Sequence, residues 1–303
     1  MTDSWQAEAR LQFSLQAAGA DAPPRTIYQG GATSPLKIQR AFQQADGRCE
    51  LPLLHTAGGL VGGDRIGVQA TLAPGSRVLL TSVAAQKVYG SVGRSRLAPQ
   101  GRWAQQELLF QLAAGADLEW LPQELVLFAD GLFEQTCRVE LAPGASWLGA
   151  EVVRLGRSAA GEGLGQGRWR SQLEIRRLQG PASRWELVDR LELGGASLEG
   201  DHGLAGQPVF GSLVWVAPEP LATAELEALA SLCRDDRAGL EGELACGPLD
   251  QGLVARYRGP SSQAARYWFS RIWARIRQQR GLASPQLPRV WPFQETPWIS
   301  ADS

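Results

Sequence analysis

Leu72-Ala73-Pro74-Gly75-Ser76 recurs as Leu141-Ala142-Pro143-Gly144-Ala145 and, more loosely, as Leu112-Ala113-Ala114-Gly115-Ala116. Proline presets φ at the second position of a turn and glycine accepts positive φ at the third, so Ala-Pro-Gly-Ser fits a type II turn. Alternating segments flank the copies. Cys137, Val139 and Leu141 alternate with Arg138 and Glu140 before one turn, and Val78-Leu79-Leu80-Thr81 follows another. This is strand–turn–strand sequence. The copies stand 40 residues apart (72 to 112) and then 29 (112 to 141). Unequal spacing predicts a recurring hairpin and not a solenoid repeat.

More strands follow. Leu173 and Ile175 alternate with Glu174 and Arg176, and Trp185, Leu187, Leu191 and Leu193 share a phase against Glu186, Arg190 and Glu192. The polar, Gly-rich stretch Ser158 to Gly167 reads as a mobile loop. Helical periodicity comes late: Ala222, Leu226, Leu229 and Cys233 mark one face over 222–236, and Ala265, Trp268, Ile272 and Ile276 another over 261–280. The tail, 285–303, holds four prolines and two tryptophans and reads as an extended surface segment. The expected class is mainly β. A single large scaffold of many stacked antiparallel or mixed strands carries two α-helices in its C-terminal half, with 1–303 as one domain.

With 44% hydrophobic and 20% charged residues the 303-residue chain is globular, and its 31 acids and 30 bases leave a net charge of -1. That balance gives no bulk attraction to nucleic acid or to an anionic membrane. No signal peptide or membrane-length apolar run is visible. The four cysteines, Cys49, Cys137, Cys233 and Cys246, form no CxxC pair, so a reduced, cytoplasmic setting is expected.

Catalytic motifs are missing. There is no GxxxxGK[ST] cradle and no GxSxG elbow, and Gly163-Leu164-Gly165-Gln166-Gly167 neither follows a clear strand nor opens a helix. His55 and His202 are the only histidines. Three acids, however, stand in the apolar phase of their strands. Asp64 aligns with Ile66, Val68, Ala70 and Leu72; Glu151 with Trp147 and Val153; Asp189 with Leu187 and Leu191. A carboxylate aimed into a core costs several kcal/mol unless paired, hydrated or bound to a cation. Each acid taken alone fits a strand end or a pair with an arginine such as Arg154 or Arg190. The three together suggest a hydrated interior.

His55-Thr56-Ala57-Gly58-Gly59-Leu60-Val61-Gly62-Gly63-Asp64 reads as a tight double turn between strands. It also resembles the His-x-x-Gly-Gly-[LIV]-Val-Gly-Gly-Asp signature of the UreD (UreH) family of urease accessory proteins. Further blocks agree in order. Thr81 to Ser91, with Lys87 and Tyr89, resembles that family's Thr-rich turn, and Glu119-Trp120-Leu121-Pro122-Gln123 its Glu-Trp-Leu-Pro-Gln block. Leu155-Gly156-Arg157 through Gly161-Glu162 and Pro288-Arg289-Val290-Trp291 match two more.

The resemblance implies a β-dominated, non-catalytic assembly factor. It would dock on apo-urease and on UreF, which recruits the GTPase UreG, and would help deliver nickel. No cofactor is held permanently and no stable metal site is implied; nickel is in transit through a polar interior. The positions matching that route are Asp64, Gln86, Glu151 and Asp189. Motif positions with a structural or partner-binding role are His55, Gly58, Gly59, Gly62, Gly63, Lys87, Tyr89, Trp120, Pro122, Arg157 and Glu162. His55 reads as a hydrogen-bonded turn histidine in preference to a nickel ligand. Three departures stand out: Thr56-Ala57 for a common Pro-Pro, Gly90 for a common Arg, and Gln86 for a small hydroxyl residue. Two other classes remain open: a β-scaffold hydrolase using Glu151 and Asp189 as an acid–base pair, and a purely structural binding module.

Overall fold

A computed structural model describes residues 4–17, 24–180, 182–291 and 296–298. In chain order the strands are β1 (Gln6–Gln16), β2 (Arg25–Ala32), β3 (Leu36–Ile38), β4 (Phe42–Gln43), β5 (Cys49–His55), β6 (Arg65–Leu72), β7 (Arg77–Ser82), β8 (Gln86–Val88) and β9 (Ala104–Leu112). They continue as β10 (Asp117–Leu121), β11 (Leu125–Leu127), β12 (Leu132–Leu141), β13 (Ser146–Leu155), β14 (Arg168–Gln179) and β15 (Ala182–Leu193). Helices then alternate with strands: α1 (Ala196–Glu199), β16 (Val209–Val216), α2 (Thr223–Asp235), β17 (Glu243–Leu249), β18 (Gly252–Gly259) and α3 (Ser262–Gln279).

The Ala-Pro-Gly turns do not close hairpins. Each carries the chain from one sheet to another: β6 to β7, β9 to β10, β12 to β13. The first sheet runs β15-β14-β12-β9-β6-β1-β2, the second β17-β18-β16-β13-β10-β7-β5-β3. Within them β6, β9 and β12 lie parallel, as do β7, β10 and β13. The expected hairpins are therefore stacked coils, and the solenoid set aside on unequal spacing is present. The spacing misleads because the length difference is taken up at the opposite end, where the links span 83–103 and 122–131.

The turns themselves are as expected. Gly75, Gly115 and Gly144 sit at φ of 71°, 66° and 71°, and the Ser76 amide donates to the Ala73 carbonyl at 3.1 Å, as a type II turn requires. They also hydrogen-bond to one another: Gly75 N–H to Ala114 O (3.0 Å) and Gly115 N–H to Pro143 O (3.3 Å).

The layers are first sheet, second sheet, helices. Leu11, Val68, Phe110, Val139, Trp147 and Val214 belong to the core between the sheets. Leu148, Val152, Leu213 and Trp215 face the other way, onto Leu229, Trp268 and Trp273 of α2 and α3. The second sheet is thus covered on both faces, which is why β10 is buried at every position, its two acids included. The two expected helices are α2 and α3; α1 is a four-residue addition. Among the described residues no helix is long and apolar enough to cross a membrane.

Charge fixes α3 to the second sheet. Arg277 forks onto both oxygens of Glu119 at 2.8 and 2.7 Å, while Asp117 takes Arg48 at 2.6 Å and Arg280 at 2.7 Å. Arg48, Arg277, Asp117 and Glu119 are all buried, so each charge depends on its partners.

Two expectations on side-chain direction fail. The register between β14 and β15 shifts at Ile175/Arg176, and this bulge reverses the alternation. Trp185 is consequently 58% exposed, whereas Glu186 turns inward to Arg177 at 2.8 Å. In the tail, residues 292–295 and 299–303 lie outside the described set. Trp291 is not a surface aromatic: it packs with Trp273, ring centroids 6.2 Å apart, and donates to Thr81 Oγ at 2.8 Å. The stretch Ser158 to Gly167 is tied down and not loose, because Glu162 pairs with Arg157 and accepts the Ala129 amide at 3.0 Å.

Candidate functional site

Polar side chains break the apolar phase on both facing sheets at the same level. On the first sheet Gln106, Gln135 and Ser171 are register partners across β9, β12 and β14. On the second, Glu151, Ser212 and Arg256 are register partners across β13, β16 and β18. The two rows meet at Glu151. Gln135 donates to its Oε2 at 2.9 Å, and the Ser171 hydroxyl lies 3.3 Å from Oε1. Arg256 spans the gap, bonded to Ser212 and paired with Asp189 of β15.

Voids run along these rows. A cavity of about 70 Å³ is lined by Ser82, Gln86, Gln106, Gln123, Gln135 and Glu151, among others. A second, about 40 Å³, shares Gln135 and Glu151 and adds Ser171 and Ser212. A third, about 20 Å³, reaches from Glu151 to Arg266, Trp273 and Trp291 beneath α3. On the loop side, a depression of about 200 Å³ shares Ser82, Gln86, Gln106 and Trp120 with the first and is walled by His55, Gly58, Gly59 and Lys87. Glu151 lines the three inner voids. Since a water needs roughly 10–15 Å³ of such space, the largest of these three has room for several.

The walls ask for water. Gln123 is 4% exposed, and both ends of its carboxamide lack a protein partner, as do the indole N–H groups of Trp147 and Trp169. Buried groups of this kind are satisfied by water or a ligand. Burial pushes the Glu151 carboxyl up to about 7, with Asp189 acting in the same sense and Arg256, Ser171 and Gln135 against it. Burial and the nearby Glu151 together raise the Cys137 thiol. Among the described residues no three of His, Cys, Asp and Glu gather to hold a metal ion.

The four route positions separate. Glu151 and Gln86 face voids. Asp64 is buried, but its oxygens accept the Trp5 and Val61 amides, both at 2.8 Å, so it holds the signature loop closed. Asp189 is committed to Arg256, and not to Arg190. His55 lies beside Gln86, Nδ1 to Nε2 3.4 Å, and burial lowers its pKa against a raising influence from Asp64. Trp120 packs on Phe110, centroids 5.5 Å apart, and with Pro122 walls the inner voids.

The glycines of the signature loop permit close backbone approach. A Cβ on Gly62 would strike Ser91 Oγ and come within 2.6 Å of the Arg102 carbonyl oxygen, and one on Gly63 (φ 102°) within 2.5 Å of the Arg102 guanidinium. On Gly59 it would reach 2.5 Å from the Tyr89 ring. A Cβ on Gly90 would lie 2.6 Å from the Ala129 carbonyl oxygen, so this chain has no room there for the family's arginine.

Gln106, Gln135, Ser171, Ser212 and Arg256 were not singled out from the sequence, and Gln123 only as the last residue of a family block. The signal was available, because neutral polar residues in an apolar phase, such as Gln135 between Phe133 and Cys137, obey the same rule as the acids.

Fold and site together define a two-sheet, helix-backed scaffold with small voids around a polar row in its interior and a larger depression of about 520 Å³ lined by Leu204, Arg237, Leu244, Tyr257 and Arg258. A family model described as UreD urease accessory protein matches residues 6–292. Urease accessory protein UreD of Synechococcus sp. (strain CC9902) is 59% identical over 97% of this chain and 92% of its own length. That of Prochlorococcus marinus (strain MIT 9303) is 60% identical over 96% and 98%. The chain belongs to the UreD family of urease accessory proteins.

Proposed function

We propose that this chain is a non-catalytic, cytoplasmic assembly factor that docks on apo-urease and on UreF, with the GTPase UreG recruited through UreF, and passes nickel through its interior to the urease site. The observation that carries the reading is Glu151 at the meeting of three voids, beside the unsatisfied Gln123 carboxamide. Carboxylate and amide oxygens with water bind a hard or borderline cation loosely, which suits passage. A carboxyl poised near neutrality gives up its proton as the cation arrives and recovers it as the cation leaves. Gln86, Gln106 and Gln135 offer neutral oxygens along the same wall, while Asp64 and Asp189 keep the wall in shape.

The hydrolase reading loses support from size: ligand pockets run to about 300–1,000 Å³, far above the voids at Glu151. The test is co-expression with urease and the other accessory proteins. Glu151→Gln and Gln123→Leu should leave complex formation intact and lower both nickel content and urease activity. Asp64→Ala is less clean because it also frees two amides. Normal activation by both interior variants would remove the conduit and leave a purely structural docking role.

A further inference from the structure

Residues 65–106 contain no Asp or Glu and six bases, Arg65, Arg77, Lys87, Arg94, Arg96 and Arg102, in a chain whose net charge is -1. Arg77 opens β7 beside a turn; the other five lie at the opposite end, where the links between sheets are long. All five are exposed, and among the described residues none forms a salt bridge. The same end holds Val61 (50% exposed) and Leu97, which at 96% is bare to solvent.

The segment bearing Leu97 is built, not slack. Ser91 and Val92 donate their amides to the Asp130 carbonyl at 2.9 and 3.1 Å, and Gly93 N–H reaches Pro99 O at 2.8 Å. The Ser91 hydroxyl closes the base by taking the Arg102 amide at 2.7 Å and donating to its carbonyl at 2.9 Å. This is the base that Gly62 and Gly63 are bare enough to admit. The signature glycines thus seat an ordered loop whose apex offers a leucine to nothing in this chain.

We infer that the Ser91–Arg102 loop is a docking knob for an acidic face of urease apoprotein that carries an apolar socket, Leu97 entering the socket while Arg96, Arg94 and Lys87 meet acids on its rim. Arg94 is shared with Glu162, but Arg96 and Lys87 make no ion pair among the described residues, and exposed bases of one sign favour an acidic face and speed its approach. A single apolar apex on a compact loop fits a socket in a folded protein better than the broad apolar face a membrane surface requires. The choice of probes rests on the assembly role proposed above.

The experiment measures binding of the purified chain to urease apoprotein and, separately, to UreF, at low and high salt. Compared are wild type, the double variant Leu97→Asp/Arg96→Glu, and Trp185→Ser, which removes an exposed aromatic on the far edge of the first sheet. The double variant should bind urease apoprotein at least about tenfold more weakly and UreF as wild type does, and wild-type binding to urease apoprotein should weaken with salt. Trp185→Ser should bind as wild type does. Wild-type affinity of the double variant for urease apoprotein overturns the proposal, as does a loss confined to UreF, to anionic vesicles or to single-stranded RNA, measured alongside. If wild type binds neither protein, the assembly role fails first and the docking knob with it.

Discussion

Glu151→Gln is expected to make the protein more stable at neutral pH. Burial holds this carboxyl at about 7, against 4.5 for an ordinary glutamate. Between those values the folded chain keeps the proton and the unfolded chain has lost it, so stability falls as pH rises through the window. The gap, about 2.5 pH units at roughly 1.4 kcal/mol each, caps the penalty at about 3.5 kcal/mol above pH 7. Gln keeps an acceptor for Gln135 and Ser171 and has no proton to lose, and Arg256 retains Asp189. Urea unfolding of both proteins at about pH 5 and about pH 8 isolates the effect, because every other titrating group cancels in the double difference. Wild type should lose about 2 kcal/mol relative to the variant across that interval. Stability curves that run parallel, or a variant weaker than wild type at the higher pH, would refute a buried, proton-holding Glu151.

Glu119→Ala strands Arg277 and leaves Arg48 with one acid fewer in a buried site. A loss of about 3–5 kcal/mol is expected, read as a lower urea midpoint at unchanged slope. Gly62→Ala forces a methyl onto Ser91 and the Arg102 carbonyl, and should cost about 1–3 kcal/mol while speeding proteolysis between 91 and 102. All four cysteines are buried and free of disulfides, and burial pushes Cys49 up to about 12. A thiol reagent should therefore leave the native protein nearly untouched and label all four after unfolding.

Local chemistry was legible; long-range arrangement was not. The turn type, the buried phase of Ile66 to Leu72 and the two long helices follow from rules that act over a few residues. Whether a turn folds a strand back on its own sheet or throws it across to another depends on the strand's partners, and the Leu72 to Ser76 repeat carries no trace of them. The bulge beside Arg176 illustrates the same limit at smaller scale. It reverses Trp185 and Glu186, yet its cause lies in pairing between two chain segments. At the site, Glu151 announced itself because an acid among Trp147 and Val153 has few explanations. Asp64 and Asp189 gave the same signal, yet each is satisfied locally, one by amides and the other by an arginine. Phase finds a buried acid; it does not say what answers its charge.

The hydrogen-bonded ladder of Ala-Pro-Gly turns makes the two ends of the molecule unequal before mutation. Gly75 leans on Ala114 and Gly115 on Pro143, so one residue inserted into any rung would jam its neighbours above and below. At the other end the connections already differ in length, and although their bases are tied together at Ser91 and Asp130, an insertion at the exposed tip near Leu97 would displace no rung. A change of length is therefore felt by a whole stack on one side of the molecule and by a single loop on the other.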